Sequence, residues 1–138
     1  MKNFSGPIEA RFQIRELFGA YSDSVFQKDV EAWLSHWTDS GVWLLIRQEV
    51  RGKAELRAQW EKLWQSLNNM MFFTEIGSIT VEGDRARCRS YCREILHLKN
   101  GSIQKVVGMY EDELISVNGE WYFERRNYQL ISDEKKYK

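Results

Sequence analysis

Apolar residues recur at three- and four-residue steps in three segments of the first half of the chain. The longest, residues 7–28, carries such a stripe at Ile14, Leu17, Phe18, Tyr21 and Val25. This period is that of an amphipathic helix with one buried face. A second, shorter helix is predicted over residues 29–40, with Asp29 as its N-cap and Gly41 after its end. A third is predicted over residues 52–67, where leucine and tryptophan form the stripe.

The second half of the chain alternates between apolar and polar residues, which is the period of a β-strand. One strand is predicted at residues 42–46, and four long ones at residues 72–82, 85–98, 103–117 and 120–131. The pairs Gly83-Asp84, Asn100-Gly101 and Asn118-Gly119 mark the turns between the long strands. The charged end, residues 132–138, is predicted to fray.

Helices that precede a run of antiparallel strands indicate an α+β fold. We expect three N-terminal helices packed on a strongly curved, mostly antiparallel sheet, which gives a cone-shaped α+β barrel with an internal cavity. The length of 138 residues fits a single domain, residues 1–138. An aromatic content of 14%, with six Trp, needs a core, a pocket or a subunit interface to hold it.

Charge and hydropathy narrow the class of partner. The 20 basic residues are balanced by 20 acidic ones, whereas nucleic-acid binders usually carry a basic excess, so no nucleic-acid partner is expected. No apolar run approaches the ~18 residues of a membrane span. The first residues also lack the apolar core of a signal peptide. A cytoplasmic protein is expected.

Metal, cofactor and disulfide chemistry find little support in the sequence. Cys88 and Cys92 lie four residues apart on one predicted strand, about 13 Å from each other. A disulfide needs Cα atoms closer than about 7 Å, so these two cannot bridge. With only two His besides, a closed zinc site is not expected. No metal and no cofactor are predicted.

Alternation along the strands sorts residues into two faces. The outer face would carry an arginine row with Glu111, Glu113 and Glu124 as cross-strand partners, mixed with apolar side chains such as Tyr91 and Met109. That mixture favours a homodimer interface on the outer face of the sheet.

The inward polar residues are the candidates for chemistry. Glu94 continues the face of Cys88 and Cys92, Asp112 follows Tyr110, and Glu75 shares the face of Phe73. A carboxylate in an apolar cavity has a raised pKa and can act as a general acid or base. Each could instead reach water at a strand end or pair with Arg125 or Arg126, and both interpretations stay open at this stage.

The ordered segments LFGAYSDSVFQKDVEAW, TDSGVW, RGKAELRAQW, VEGDRARCRSYC, VVGMYEDEL and NGEWYFERR together resemble the SnoaL-like family of the nuclear transport factor 2-like superfamily. The resemblance spans roughly Ile8 to Leu130 and rests on the order and spacing of these segments. It implies an α+β cone, usually dimeric, with a pocket between the helices and the concave sheet. Relatives include polyketide cyclases, scytalone dehydratase, limonene epoxide hydrolase, ketosteroid isomerase and the β subunits of ring-hydroxylating dioxygenases.

The chain departs from the acid/base pattern of this family. Many members carry a Tyr near the end of the first helix, matched by Tyr21, and an Asp five residues on, where this chain has Phe26. Many also carry a His at the start of the strand that leads to the Gly83-Asp84 turn, where this chain has Phe72 or Phe73. The usual Asp–His pair is therefore missing.

Whether the protein is an enzyme stays open from sequence alone. As a cofactor-independent dehydratase, isomerase or cyclase, it would transfer a proton on a small hydrophobic, cyclic molecule. Tyr21 and Tyr110 would hydrogen-bond a substrate oxygen, and Glu94 or Glu75 would move the proton. The residues expected to contact the ligand are Trp43, Phe72, Phe73, Phe26 and Arg125.

Two alternatives accompany the enzyme hypothesis. One is a small-ligand-binding module that has lost the family's Asp–His pair. The other is a structural partner that resembles the β subunit of a dioxygenase, with the cavity filled by its own side chains.

Overall fold

A computed structural model of the protein describes residues 2–136, with the backbone alone for Lys136. Within this range three helices and seven strands follow one another as β1 (Phe4–Ser5), α1 (Ile8–Phe26), α2 (Val30–Ser35), β2 (Trp37–Leu45), β3 (Gln48–Arg51), α3 (Gly52–Gln65), β4 (Leu67–Glu82), β5 (Arg85–Leu98), β6 (Ile103–Val117) and β7 (Glu120–Lys136). The predicted α+β class and the three helices are confirmed. The short strands β1 and β3 carry too little alternation to be predicted from sequence.

The strands form one mixed sheet in the order β1-β4-β5-β6-β7-β2-β3. Strands β4 to β7 are the predicted antiparallel meander, while β1 pairs with β4 and β2 with β7 in parallel. The sheet is open, so the cone is not a closed barrel. The helices pack on one face of this sheet, and the largest buried side chains there include Trp33, Trp37 and Phe123.

The second helix is shorter than predicted. Its N-cap is confirmed, because the Ala32 backbone N–H donates to the Asp29 carboxylate at 3.0 Å. The helix ends at Ser35, and Trp37 begins β2 directly opposite Phe123 of β7. Burial of the Trp37 indole against the sheet stabilises this arrangement more than one further turn of helix would. Gly41 serves close packing rather than a helix end, since a Cβ there would lie 2.9 Å from the Trp37 ring.

A β-bulge in β4 inverts the predicted alternation. The pairing with β5 shifts between Ile76 and Ser78, at Gly77. Before the shift Met70 and Phe72 point inward, and after it Ile79 and Val81 do. A bulge inserts one unpaired residue and so exchanges the two faces of a strand. The unbroken pattern placed Phe73 and Glu75 on the same face as Ile79 and Val81. Because of the bulge, they lie on the opposite face instead.

A second bulge changes the face of the last strand. Glu113 pairs with Arg125 while Leu114 pairs with Phe123, which leaves Glu124 as the extra residue of β7. After Phe123 the next inward side chain is therefore Arg126, which is 1% exposed. Arg125, which the unbroken alternation placed with Phe123, turns to the outer face.

The charged end of the chain is ordered further than predicted. Residues 132–136 continue β7 and pair with the start of β6, from Val107↔Ser132 to Ile103↔Lys136. The remainder of the segment that was predicted to fray, residues 137 and 138, lies outside the described residues, as does residue 1.

Two further predictions can be compared with the described residues. Cys88 and Cys92 are both free and buried, which confirms that they do not bridge. Among the helices of residues 2–136, none has the length and apolar character to cross a membrane.

Candidate functional site

An aromatic cavity of about 80 Å³ lies between the helices and the concave face of the sheet. The side chains around it come from all three helices and from β2, β4, β5 and β6. Most are apolar or aromatic, and the full set is Tyr21, Val25, Trp33, Trp43, Trp60, Leu63, Trp64, Leu67, Met70, Phe72, Glu94, Leu96 and Tyr110.

Five of the residues predicted from sequence meet in this cavity: Tyr21, Trp43, Phe72, Glu94 and Tyr110. Three further tryptophans line it without having been predicted as site residues. Trp60 and Trp64 belong to the apolar stripe of α3, and Trp33 lies on α2. A stripe of this kind usually indicates core, so only the position of α3 over the cavity identifies these indoles as part of a site.

Tyr110 is held by a buried hydrogen bond. The Trp43 indole N–H donates to the Tyr110 hydroxyl oxygen at 3.0 Å. The hydroxyl proton of Tyr110 then remains available for an acceptor in the cavity, and the bond from Trp43 polarises it for donation. Burial raises the pKa of Tyr110 well above its ordinary value, so Tyr110 is a neutral donor.

Tyr21 completes the polar edge of the cavity from α1. Its ring lies 5.9 Å from that of Phe72 and 6.1 Å from that of Trp33. Burial raises the pKa of Tyr21, and the positive charge of Arg126 acts in the opposite direction. Tyr21 is therefore also neutral near pH 7 and can donate or accept a hydrogen bond.

Glu94 is the single carboxylate among the residues that line the cavity. It lies on β5 directly opposite Phe72 of β4, one of the two positions where the resemblance implied a histidine. Burial in apolar surroundings raises the pKa of Glu94 from 4.5 to about 7. Near neutral pH the side chain is thus present in both protonation states, which suits a group that takes up and returns a proton.

A buried ion pair lies behind the tyrosines. The Arg126 guanidinium donates two hydrogen bonds to the Asp112 carboxylate, at 2.8 and 3.1 Å, and both side chains are almost fully buried. The guanidinium carbon also lies 3.8 Å from the ring centroid of Tyr110 and 4.6 Å from that of Tyr21. Asp112 is therefore committed to Arg126, which leaves Glu94 as the candidate acid/base group.

Two of the predicted aromatic residues are outside the cavity. Phe26 is five residues on from Tyr21, about 140° round the helix, so it turns away, whereas Val25 lines the cavity. Phe73 neighbours Phe72 on the strand and therefore points to the opposite face. The centroids of the two displaced rings lie 5.4 Å apart, across the free edge of β4, and the side chains remain 39% and 41% exposed.

The predicted polar residues Glu75 and Arg125 are also outside the cavity. Both are exposed on the outer face of the sheet, as the two bulges require. The Arg125 guanidinium lies 3.8 Å from the Glu113 carboxylate, so it belongs to the charged rows of that face. The placement of Glu75, Arg125, Phe26 and Phe73 as cavity residues is thus corrected.

The outer face carries two open, charged grooves of about 380 and 520 Å³. Arginines of β5 and β7 alternate there with glutamates of β6, and Arg85 also pairs with Glu124 of β7 at 3.0 Å. Opposite charges neutralise each other along these rows. As for metals, residues 2–136 contain no group of three or more His, Cys, Asp or Glu arranged to hold an ion.

The aromatic cavity with one carboxylate and two neutral phenols can bind a small apolar molecule and exchange a proton with it. It can also hold an oxygen of that molecule by hydrogen bonds from the tyrosines. These groups are arranged on three different elements, α1, β5 and β6, which fixes them relative to one another.

Solved structures share this fold. A Novosphingobium aromaticivorans protein that bears the name aromatic ring hydroxylase superposes with a TM-score of 0.87 at 24% identity, covering 96% of each chain. Type 2 hexachlorocyclohexane dehydrochlorinase LinA gives 0.85 at 15% identity, over 94% of this chain and 90% of that one. A protein from N. aromaticivorans that bears the name scytalone dehydratase gives 0.84 at 18% identity, over 92% and 87%.

At these identities the likeness shows the fold alone. No curated protein matches the chain at a significant level. The sequence profile of the SnoaL-like domain, in contrast, matches residues 7–127, which is most of the chain. Together with the shared architecture, this match shows that the protein belongs to the SnoaL-like domain family.

Proposed function

We propose that the protein is a cofactor-independent enzyme that transfers a proton on a small hydrophobic molecule, as a dehydratase, isomerase or cyclase does. Glu94 takes up or delivers the proton, and Tyr110 and Tyr21 hydrogen-bond an oxygen of the substrate. The observation that carries the proposal is the position of Glu94 as the one carboxylate in the wall of the aromatic cavity.

Burial gives Glu94 the property that acid/base chemistry needs. A general acid or base works best when its pKa is close to the working pH. The pKa of Glu94, raised to about 7 by burial, meets that condition. The family's usual Asp and His positions hold phenylalanine here, and Glu94 lies directly opposite Phe72 across the two strands. We infer that the proton-transfer role has moved from β4 to β5.

Tyr110 and Trp43 supply the electrostatic part of the mechanism. Charge that develops on a substrate oxygen is stabilised by donors that are already oriented in a site without water. The 3.0 Å hydrogen bond from the Trp43 indole orients the Tyr110 hydroxyl, so the hydroxyl proton of Tyr110 is free to be donated to the substrate. Tyr110 therefore donates a hydrogen bond to the substrate oxygen, while Glu94 removes a proton from a neighbouring carbon atom of the substrate.

The cavity volume sets a limit on the substrate. An apolar cavity of roughly 150 Å³ holds benzene, and this one measures about 80 Å³. A cyclic substrate therefore requires side chains at the wall to move. Leu63, which lines the cavity and is 37% exposed, is the side chain best placed to do so. The neighbouring indole of Trp64 is only partly buried and would move with it.

The test is an activity screen with three variants. Small cyclic alcohols, ketones and halides are incubated with the protein, and products are followed by mass spectrometry. For any substrate that turns over, Glu94→Gln is expected to reduce kcat about 100-fold or more. Tyr110→Phe should also reduce kcat. Glu75→Gln is the matched control, because Glu75 lies on the opposite face of the sheet and should retain full activity. Full activity in Glu94→Gln would contradict the proposal.

A second candidate is a binding module without chemistry. The small volume of the cavity and the phenylalanines at the family's Asp and His positions favour it. In that case, an apolar molecule would co-purify with the protein and remain unchanged after long incubation. Native mass spectrometry followed by chemical analysis of the bound molecule separates the two candidates.

We also propose that the protein is a cytoplasmic homodimer that pairs through the outer face of its sheet. Phe73 and Tyr91 are 41% and 40% exposed there, next to rows of opposite charges that a second copy could match. Two buried free cysteines fit a reducing compartment. Analytical ultracentrifugation of the wild type and of Phe73→Glu tests the pairing, since the variant should be monomeric. Two equal sedimentation profiles would contradict this interface.

A further inference from the structure

We propose that the cavity recognises the alkylammonium head group of a small amine, with Glu94 as its counter-charge and tryptophans as its walls. The inference deepens the proposed function, on whose cavity it rests, by assigning a positive charge to the molecule that binds. It follows from three features of the cavity: the kind of rings that surround it, the sign of the charges that line it, and its size.

The rings around the cavity are mainly indoles. Trp33, Trp43, Trp60 and Trp64 all line it, and they form one contiguous cluster. The ring of Trp33 lies 4.9 Å from that of Trp60 and 5.4 Å from that of Trp43, and Trp60 lies 5.8 Å from Trp64. Indole attracts cations more strongly than the other aromatic side chains, and aromatic cages of this kind bind quaternary ammonium groups. A purely apolar ligand would be served equally well by leucine and isoleucine.

Among charged side chains, the wall of the cavity holds a carboxylate, while Lys28 Nζ lies 5.1 Å from the ring centroid of Trp64. Glu94 is the only carboxylate in its wall, and no Lys, Arg or His of residues 2–136 lines it. Arg126 lies behind the rings of Tyr21 and Tyr110 and is neutralised by two hydrogen bonds to Asp112. The Glu94 carboxylate accepts a hydrogen bond from the Cys92 thiol at 4.0 Å but has no cation beside it in the cavity wall. An anionic ligand would therefore be repelled by Glu94, whereas a cationic ligand would supply its counter-charge.

The size of the cavity fits a head group rather than a whole ring. Benzene, with six heavy atoms, occupies a cavity of roughly 150 Å³. By proportion, about 80 Å³ accommodates about three heavy atoms, the size of a dimethylammonium group, and a small outward shift of Leu63 admits the fourth heavy atom of a trimethylammonium group. The rest of the molecule would extend past Leu63, which is 37% exposed.

The protonation of Glu94 makes binding depend on pH in a defined direction. A cation binds best to the ionised carboxylate, so its affinity should fall as the pH falls below about 7, the pKa of Glu94 in the free protein. Cys92, Tyr110 and Tyr128 are the ionisable groups on which the charge of Glu94 acts. Burial raises the pKa of each, so none of them titrates in this range. His36, which packs against Tyr21, has a pKa lowered by burial and titrates below 6.5.

The experiment compares two molecules of the same shape that differ in charge. Choline and 3,3-dimethylbutan-1-ol are titrated into the full chain by isothermal calorimetry at constant ionic strength. Choline should bind at least about tenfold more tightly, and the preference should disappear in Glu94→Gln. Glu75→Gln, with its carboxylate removed from the other face of the sheet, should keep the preference. Thermal melting of each variant establishes that it is folded.

Equal binding of the two molecules would overturn the inference, and so would the absence of binding by either one. A choline affinity that survives Glu94→Gln would overturn it as well, since the cation would then be held elsewhere. These outcomes are separable from the fate of the proposed function. If neutral substrates are converted and ammonium compounds are ignored, only the inference fails. If choline is bound and no compound is ever converted, only the proposed enzymatic function fails.

Discussion

Removing one partner of the buried Asp112–Arg126 pair should destabilise the protein more than any single change on its surface. In Asp112→Asn the shape of the side chain is retained while its negative charge is lost. Arg126 is then left as a positive charge with 1% exposure, without the carboxylate that accepts hydrogen bonds from it at 2.8 and 3.1 Å. Breaking a buried ion pair in this way costs about 3–5 kcal/mol. Because domains of this size are stable by only about 5–15 kcal/mol, a large part of the total would be lost.

The assay is urea unfolding at pH 7, followed by tryptophan fluorescence and circular dichroism. The matched control is Glu113→Gln, one residue further along β6. Glu113 faces Arg125 across the same two strands, at 3.8 Å, but both side chains are about half exposed. An exposed pair contributes about 0–1 kcal/mol, so this control should scarcely change the free energy of unfolding.

A third variant separates the buried charge from the packing. Replacing both partners with apolar side chains of similar volume, as in Asp112→Leu combined with Arg126→Met, removes the uncompensated charge. The double variant should be more stable than Asp112→Asn alone. If Asp112→Asn and Glu113→Gln changed the free energy of unfolding by the same amount, the reasoning about burial would be refuted.

Two further predictions concern the cavity, and a third concerns the packing of Gly108 against Tyr128. The pKa of Glu94 is raised from 4.5 to about 7 in the folded protein, so the free energy of unfolding of the wild type should fall by up to roughly 3 kcal/mol as the pH rises through this range. Glu94→Gln should lack this loss and should melt at a higher temperature than the wild type at pH 8. Trp43→Phe removes the donor to Tyr110 and should reduce kcat. Gly108→Ala places a Cβ against the ring of Tyr128 and should lower the free energy of unfolding by about 1–3 kcal/mol.

Each of these predictions has a control on the same chain. Glu75→Gln should show the same pH dependence of melting as the wild type, because that carboxylate lies outside the cavity. Trp121→Phe changes an indole that does not line the cavity and should leave KM and kcat unaltered. For Gly108→Ala, Gly19→Ala is the comparison, since a Cβ at Gly19 would meet no atom within 4 Å. Equal effects in a variant and its control would contradict the corresponding prediction.

Local sequence patterns predicted the elements of this fold well, because each element is dominated by its own hydrophobic period. The stripe of α1, with Tyr21 on its buried face, and the asparagine–glycine turns both depend on near neighbours only. The end of α2 was missed for the opposite reason. Trp37 leaves the helix because its indole is buried opposite Phe123, which lies far away in the sequence.

The cavity residues were likewise predicted correctly where local alternation is unbroken and incorrectly where a distant pairing changes it. Glu94 and Tyr110 were predicted in the correct place because β5 alternates without interruption up to Glu94, and β6 around Tyr110 does as well. Glu75 and Arg125 were misplaced because bulges near them exchange the two faces of a strand. Gly77 gives some sign of the first bulge, since an isolated glycine in a strand often marks one. The second bulge, at Glu124, depends on register with β6, which no local pattern encodes.

The protonation of Glu94 is the most direct test of this account. A carbon-13 NMR titration of the full chain, with glutamate labelled at the carboxyl carbon and the Glu94 signal assigned through Glu94→Gln, measures it without any knowledge of a substrate. The account predicts a midpoint of about pH 7, well above the ordinary value of 4.5. A midpoint close to 4.5 would contradict it, because Glu94 would then be a solvated side chain and not the acid/base group of the cavity.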